Sequence, residues 1–428
     1  MSELSRSKFN KIVLVVLCLD LFGGRWITYV GIPGTPIYFL DSAFLLLCSY
    51  ALLICKLHKD HCRRSTNVNR YILLILFTFL LFQGLRNGST NLALRFRDLM
   101  PFTYLFFVPF LNCNLKSVDK KSLADKLIFV GFAHLSWAIP SARGLISPVY
   151  LGGIFQEPLF GVRTDQTGFV ISIALLACFY RIGQSIKLKQ SIITAVCLSI
   201  SVVFFNSRAS LIAVAFSLLF GLIYLFKSNS LTLRHRISPI VSLGFIFLAL
   251  ILFLNVFQID LPEDSSLKRV GLIYSSTGEG QNSAYWTRKG RENAQSLLIE
   301  WTKKNHMVWF GAGPGREMLL ESGAVRYLSG DLTVRSPHSW PISLLARFGI
   351  IGAGLWVGVF LKFFTQNDMF HRGLKILAFP RSAVYPIIIT SLFGVIVESP
   401  FGMLPLVVFL ALPKNSQESV NAVVKKVM

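Results

Sequence analysis

Apolar residues come along this chain in blocks of roughly 15 to 25, separated by short stretches rich in Lys and Arg; that is the length a hydrocarbon core about 30 Å thick requires of a crossing helix. Twelve blocks read as candidate spans: 11–30, 36–56, 71–85, 99–115, 127–140, 168–181, 191–205, 211–226, 239–257, 341–364, 383–397 and 401–412. The first is broken by Asp20, Gly23, Gly24 and Arg25, and charged groups at such depth usually face a bundle interior. One connection departs from the rhythm. Residues 258–340 form a link of about eighty residues, far beyond the usual 4 to 6 or so, and loops of that length commonly carry function. Within it Ala294, Leu297, Leu298 and Trp301 follow the helical period while Arg288, Arg291, Glu292 and Gln295 share another face, which predicts an amphipathic helix over Ser283–Lys304. Gly311, Gly313, Pro314 and Gly315 then predict a flexible turn, and Pro337 and Pro341 flank a second. The expected fold is an all-α polytopic membrane protein of about twelve transmembrane helices with one large loop containing amphipathic helices. Its parts are 1–257 (spans one to nine), 258–340 (the loop), 341–412 (spans ten to twelve) and 413–428 (a polar tail).

Composition strengthens this picture. Of the 428 residues 53% are hydrophobic and 15% charged, where a soluble domain carries about 25% charged residues; mean hydropathy is +0.58. The net charge of +22 would suit a nucleic-acid partner if it lay on one face, but the cations sit between apolar blocks, so nucleic acid is set aside in favour of membrane lipids. Alternate connections divide the Lys and Arg unequally: twenty-five fall in the set containing both termini, and six (Arg86, Arg95, Arg97, Arg143, Arg163, Arg208) fall in the opposite short loops. The positive-inside rule then puts both termini in the cytoplasm and the long loop outside. The seven cysteines show no CxxC spacing and indicate neither a zinc site nor a disulfide framework. The first apolar block is read as a retained span rather than a signal peptide.

Candidate chemistry collects on the outward side. The long loop carries ten cations against nine acids, a balance that suits an anionic ligand such as a diphosphate, because guanidinium groups bind phosphate oxygens bidentately; an ordinary solvated basic loop is the plainer alternative. Arg208, in Asn206-Ser207-Arg208-Ala209-Ser210 between two apolar blocks, is held at the membrane surface or inside the bundle, where charge is costly, unless it snorkels to headgroups. His338, in Ser336-Pro337-His338-Ser339-Trp340, stands where the loop re-enters the membrane, and an imidazole there could take a proton from a sugar hydroxyl; a structural role is the alternative. Gly311-Ala312-Gly313-Pro314-Gly315 lacks the Lys-Ser/Thr of a phosphate-cradling loop. No Asp-x-Asp or HExxH signature stands on the outward side, so no metal or other cofactor is called for.

In order and spacing these features resemble the O-antigen ligase family, which shares a domain with Wzy-type polymerases and bacterial protein O-oligosaccharyltransferases. The carrying residues are Asn206-Ser207-Arg208-Ala209-Ser210, then Tyr285-Trp286-Thr287-Arg288, then Trp309-Phe310-Gly311-Ala312-Gly313-Pro314-Gly315, and His338 before Leu345-Ala346-Arg347-Phe348-Gly349-Ile350-Ile351-Gly352. The resemblance covers roughly the second half of the chain. It implies a metal-independent glycosyltransferase of the bacterial inner membrane with its long loop in the periplasm. The donor would be an undecaprenyl-diphosphate-linked glycan, and the acceptor lipid A-core or a growing glycan. It also implies diphosphate binding by Arg208, Arg288 and Arg291 and a catalytic role for Arg288 and for His338, the latter near the acceptor hydroxyl. Family members often carry Asn after the histidine and an acid a few residues on, whereas here Ser339 and Trp340 follow and the next acid is Asp368; no carboxylate close in sequence orients the imidazole. A Wzy-type polymerase is the nearest alternative. A polysaccharide transporter or flippase would call for internal repeats and paired broken helices, of which only the Gly23-Gly24 break is present.

Overall fold

The computed structural model describes residues 3–33, 35, 37–57, 70–86, 91–115, 118–205, 207–227, 283–328, 335–365, 379–394 and 396–412. The ninth candidate span, 239–257, the first part of the long connection, Asp368 and the tail lie outside the described residues. The helices are α1 (Glu3–Gly23), α2 (Arg25–Thr28), α3 (Phe39–Leu57), α4 (Arg70–Arg86), α5 (Leu92–Asn114), α6 (Lys120–Ala142), α7 (Thr164–Gly183), α8 (Leu188–Ser201) and α9 (Arg208–Lys227). They continue with α10 (Ser283–Lys304), α11 (Met318–Glu321), α12 (Trp340–Thr365), α13 (Val384–Phe393) and α14 (Pro400–Ala411). Among the described residues extended pairing is confined to three isolated β-bridges, so the protein is all-helical.

Among the described residues four helices are long and apolar enough to cross a membrane: α6, α7, the Ala209–Phe226 part of α9, and α12. Shorter apolar helices fall at the third-, fourth-, eighth-, thirteenth- and fourteenth-helix positions. The 12 residues of α14 reach only about 18 Å, yet Phe401–Leu412 is buried throughout. It is a core element enclosed by other helices.

The centre of the bundle is α7, 94% of whose apolar stretch is buried inside the protein. Small residues let its neighbours approach: a Cβ on Gly131 of α6 would stand 2.6 Å from Ala174 of α7, and Gly168 of α7 lies against Ser210 of α9. Backbone proximity at small residues is the usual way apolar helices associate where the hydrophobic effect between them is weak. The Gly168 contact joins the first turns of α7 and α9, and the Ser210 hydroxyl donates to the Thr164 carbonyl there.

The predicted amphipathic helix is present as α10, end to end. Ala294 and Leu298 are fully buried, with Leu297 and Trp301 packed beside them, against Met318 and Leu319 of α11, Val325 and Ala346. The glycine-rich segment after it is a turn, but a pinned one rather than a flexible one. Ala312 and Gly313 donate backbone N–H groups to the Ala346 and Arg347 carbonyls at 2.8 Å each, and Ile350 donates to Val308 at 2.9 Å. This pairing requires the kink in α12 at Gly349, whose φ of 69° suits glycine. A Cβ there would collide with the Trp309 carbonyl, and one on Gly311 with Arg347.

Candidate active site

The break between α1 and α2, the first turns of α5, the loop before α7, the residues before α12 and the link between α13 and α14 meet around one cavity of about 530 Å³. Its wall carries five guanidiniums, Arg25, Arg97, Arg163, Arg335 and Arg347, with His338, against three carboxylates, Asp98, Glu157 and Glu398. Each element delivers its charge for a local reason. Gly24, with φ of 56°, ends α1 and turns Arg25 toward Glu157, with which it forms an ion pair. The 23-residue α5 brings Arg97 and Asp98 in on successive positions, pointing in different directions around the helix.

Asp98 ties the wall together. Its carboxylate pairs with Arg347, lies 3.6 Å from Arg335 and accepts the Gly315 N–H at 2.7 Å. The glycine-rich segment thus aims an N–H at an acid of α5. Arg347 also donates to the Arg335 carbonyl at 3.4 Å. Arg97 is held by aromatic faces: its guanidinium lies 5.7 Å from the Tyr29 ring centre and 5.9 Å from that of Tyr38, and it donates to the Tyr29 hydroxyl at 3.4 Å. Tyr29 in turn donates to Ser399 at 3.1 Å.

Arg335 keeps donors in hand. Its Nε is buried with no hydrogen-bond partner, and the Nη nearest Asp98 makes only that long ion pair, although a buried guanidinium N–H ordinarily finds an acceptor. Burial lowers its pKa, Arg347 and Arg97 add to the effect, and Asp98 opposes it. A guanidinium remains charged under such pressure, so an oxygen-rich anion in the cavity would relieve it.

His338 lines the cavity in a left-handed backbone conformation with φ of 54°, uncommon outside glycine and often found at functional sites. His306, with φ of 57°, follows the end of α10, where such a conformation merely terminates a helix. The His338 loop is held from α10: Gln295 donates its amide to the Pro337 carbonyl at 3.3 Å. Arg291, one turn earlier on the same face, acts on the imidazole electrostatically. Burial first, then Arg291 and Arg163, push the His338 pKa down from 6.5 to about 4, while Asp165 works in the opposite direction. Arg163 and Asp165 form an ion pair at 3.2 Å at the start of α7. The carboxylate near the imidazole, missing from the sequence around it, comes from more than a hundred and fifty residues away.

Of the four residues singled out from the sequence, His338 lines the cavity and Arg291 acts on it. Arg208 opens α9, whose first turn abuts that of α7 beside the Arg163–Asp165 pair. Arg288 lies one turn before Arg291 on α10. The backbones of these two are described, and their side chains lie outside the described part. Sequence reasoning passed over the cavity residues that α2, α5 and the α13–α14 link contribute. The adjacent Arg97 and Asp98 inside an apolar helix were a usable signal, because charge there is expensive and usually functional.

Fold and cavity together define a helical membrane protein with a polar, guanidinium-lined chamber bordered by the long connection. A family model described as O-antigen ligase matches residues 193–357, from within α8 through α9, α10 and His338 into α12, so this part of the chain is similar to the O-antigen ligase family. No curated protein matches it closely.

Proposed function

We propose that the protein is a metal-independent glycosyltransferase that passes an undecaprenyl-diphosphate-linked glycan to lipid A-core at the periplasmic face of the bacterial inner membrane. The observation that carries the proposal is the cavity: five guanidiniums and His338 face one space of about 530 Å³, and the Nε of Arg335, one of its wall residues, is buried without a hydrogen-bond partner. Transfer from a lipid diphosphate develops negative charge on the leaving oxygens, and positioned guanidiniums in a water-poor site stabilise that charge. Every element that lines the cavity does so at the end that the charge count assigns to the outside, which supports a periplasmic site.

Arg208, Arg288 and Arg291 are assigned to the diphosphate, with Arg288 the catalytic one of the three. His338 stands beside the acceptor hydroxyl. Its depressed pKa leaves it neutral at physiological pH, able to accept a hydrogen bond from that hydroxyl. Direct displacement at the anomeric carbon inverts its configuration. The same chemistry with a growing glycan as acceptor would make the protein a polymerase; deletion leaving finished lipid-linked polymer without surface attachment marks a ligase, and single repeats mark a polymerase.

The direct test is Arg288→Ala in purified, folded protein. Transfer is expected to fall by about 100-fold or more, and Arg288→Lys is expected to fail as well, since bidentate geometry is lost. Wild-type transfer by Arg288→Ala would refute the assignment.

A further inference from the structure

Glu398 closes the short 3-10 turn Ile396–Glu398 between α13 and α14 and lines the main cavity with His338, Arg97 and Arg347. The other carboxylates of the chamber are engaged. Asp98 pairs with Arg347 and Arg335, and Glu157 with Arg25. Among the described residues Glu398 has no guanidinium within ion-pair distance. Its Oε1 accepts the Ser336 hydroxyl at 3.1 Å, and the Ser343 hydroxyl is a second donor. Two serines therefore orient a carboxylate that Arg347 and Arg97 influence only electrostatically, and one of them, Ser336, stands two residues before His338 in the same wall.

Glu398 also lines a second, smaller cavity of about 50 Å³, which it shares with Arg97, Tyr38 and Asp41. A space of that size can hold water, and Tyr38, Asp41, Ser42 and Arg97 in its wall offer it polar partners.

Resting on the proposed transferase reading, we infer that Glu398 is the proton acceptor of the reaction and that His338 positions the acceptor sugar. The hydroxyl O–H proton passes to a Glu398 carboxylate oxygen as the hydroxyl oxygen bonds to the anomeric carbon. The bond from that carbon to the diphosphate oxygen breaks, its electron pair leaving with the lipid diphosphate. Glu398 then releases the proton to water in the smaller cavity. A carboxylate suits this role better than the imidazole, which becomes a cation on protonation and already faces Arg291 and Arg163; Glu398 becomes neutral instead.

The charged and titratable groups around Glu398 are Arg97 and Asp98 of α5, Arg347 of α12, Arg335 and His338 ahead of it, Tyr29 and Tyr38 across the chamber, and Asp41 of α3. Burial raises the Glu398 pKa first and Asp98 adds to it, while Arg347 and the two serine hydroxyls oppose the rise. Because the deprotonated form accepts the proton, activity is lost as pH falls, and the raised pKa moves that loss to higher pH than a solvated glutamate would give.

The test is Glu398→Gln in the full chain purified in detergent, assayed with a polyprenyl-diphosphate glycan donor. The amide keeps an oxygen for Ser336 and removes the base. The expected result is a kcat lower by about 100-fold or more, KM for donor within about threefold of wild type, and disappearance of the acidic limb of the kcat profile. A wild-type kcat with an unchanged acidic limb would overturn the inference, leaving Glu398 a structural hydrogen-bond acceptor. If the glutamine variant does not fold, Glu398→Asp serves: kcat about tenfold down at constant KM supports the role, and wild-type kcat overturns it. Failure of the wild-type protein itself to make product while binding donor would instead sink the transferase reading.

Discussion

At the scale of single residues, His338 is the most constrained group in the chamber. A left-handed backbone, a hydrogen bond from Gln295 to the preceding carbonyl and two nearby guanidiniums fix its place and its charge. The folded protein holds its pKa near 4 against an ordinary 6.5, so between those values the unfolded chain binds a proton that the folded chain does not. Stability should therefore be intact above about pH 6.5 and decline as pH falls toward 4. Thermal melts at pH 7 and pH 4.5 are expected to show a larger loss for wild type than for His338→Gln; equal losses would mean the imidazole is not so constrained. Arg208, Arg288, Arg291 and His338 could be picked from sequence because each sits at a chain break or on a polar helical face. Asp98, Arg97 and Glu398 could not be joined to them, because their proximity depends on three connections folding back to one end of the bundle.

Among the elements, α10 was legible to its last residue, since its apolar positions keep a strict helical period and nothing in tertiary structure needed to override it. The glycine-rich segment was only half legible. Its glycines marked a turn, but what makes it rigid is the facing backbone of α12 at Gly349, about forty residues on. There the two stretches exchange N–H groups and carbonyls at a separation that excludes side chains. The contact sets the end of α10, and through Gly315 and Asp98 it also sets the guanidinium of Arg347. Gly349→Ala should accordingly cost about 2 kcal/mol or more, combining an unfavourable φ with a backbone collision, and lower the melting temperature in detergent. A variant of wild-type stability would show that the pinning is not needed. Short apolar helices were the least legible elements: α14 carries the composition of a span but the length of a buried core helix, and composition cannot separate the two.

For the molecule as a whole, apolar helices hold an end of the bundle where charges from both halves of the chain meet. The family match covers only 193–357, yet Arg25, Arg97, Asp98 and Arg163 come from before it. The first half, which lies outside the matched segment, thus supplies much of the chamber wall. That division gives the account its sharpest test, because Arg97 lies outside the matched segment and Arg335 within it, and both face one cavity. The measurement is transfer of glycan from undecaprenyl diphosphate to lipid A-core by purified protein in detergent micelles, where there is no bilayer to cross. Wild-type protein is expected to form the linked product, and the folded double variant Arg97→Ala/Arg335→Ala to form it at least about 100-fold more slowly. Product formation by the double variant at the wild-type rate would contradict a cavity in which guanidiniums from both halves of the chain stabilise the departing diphosphate.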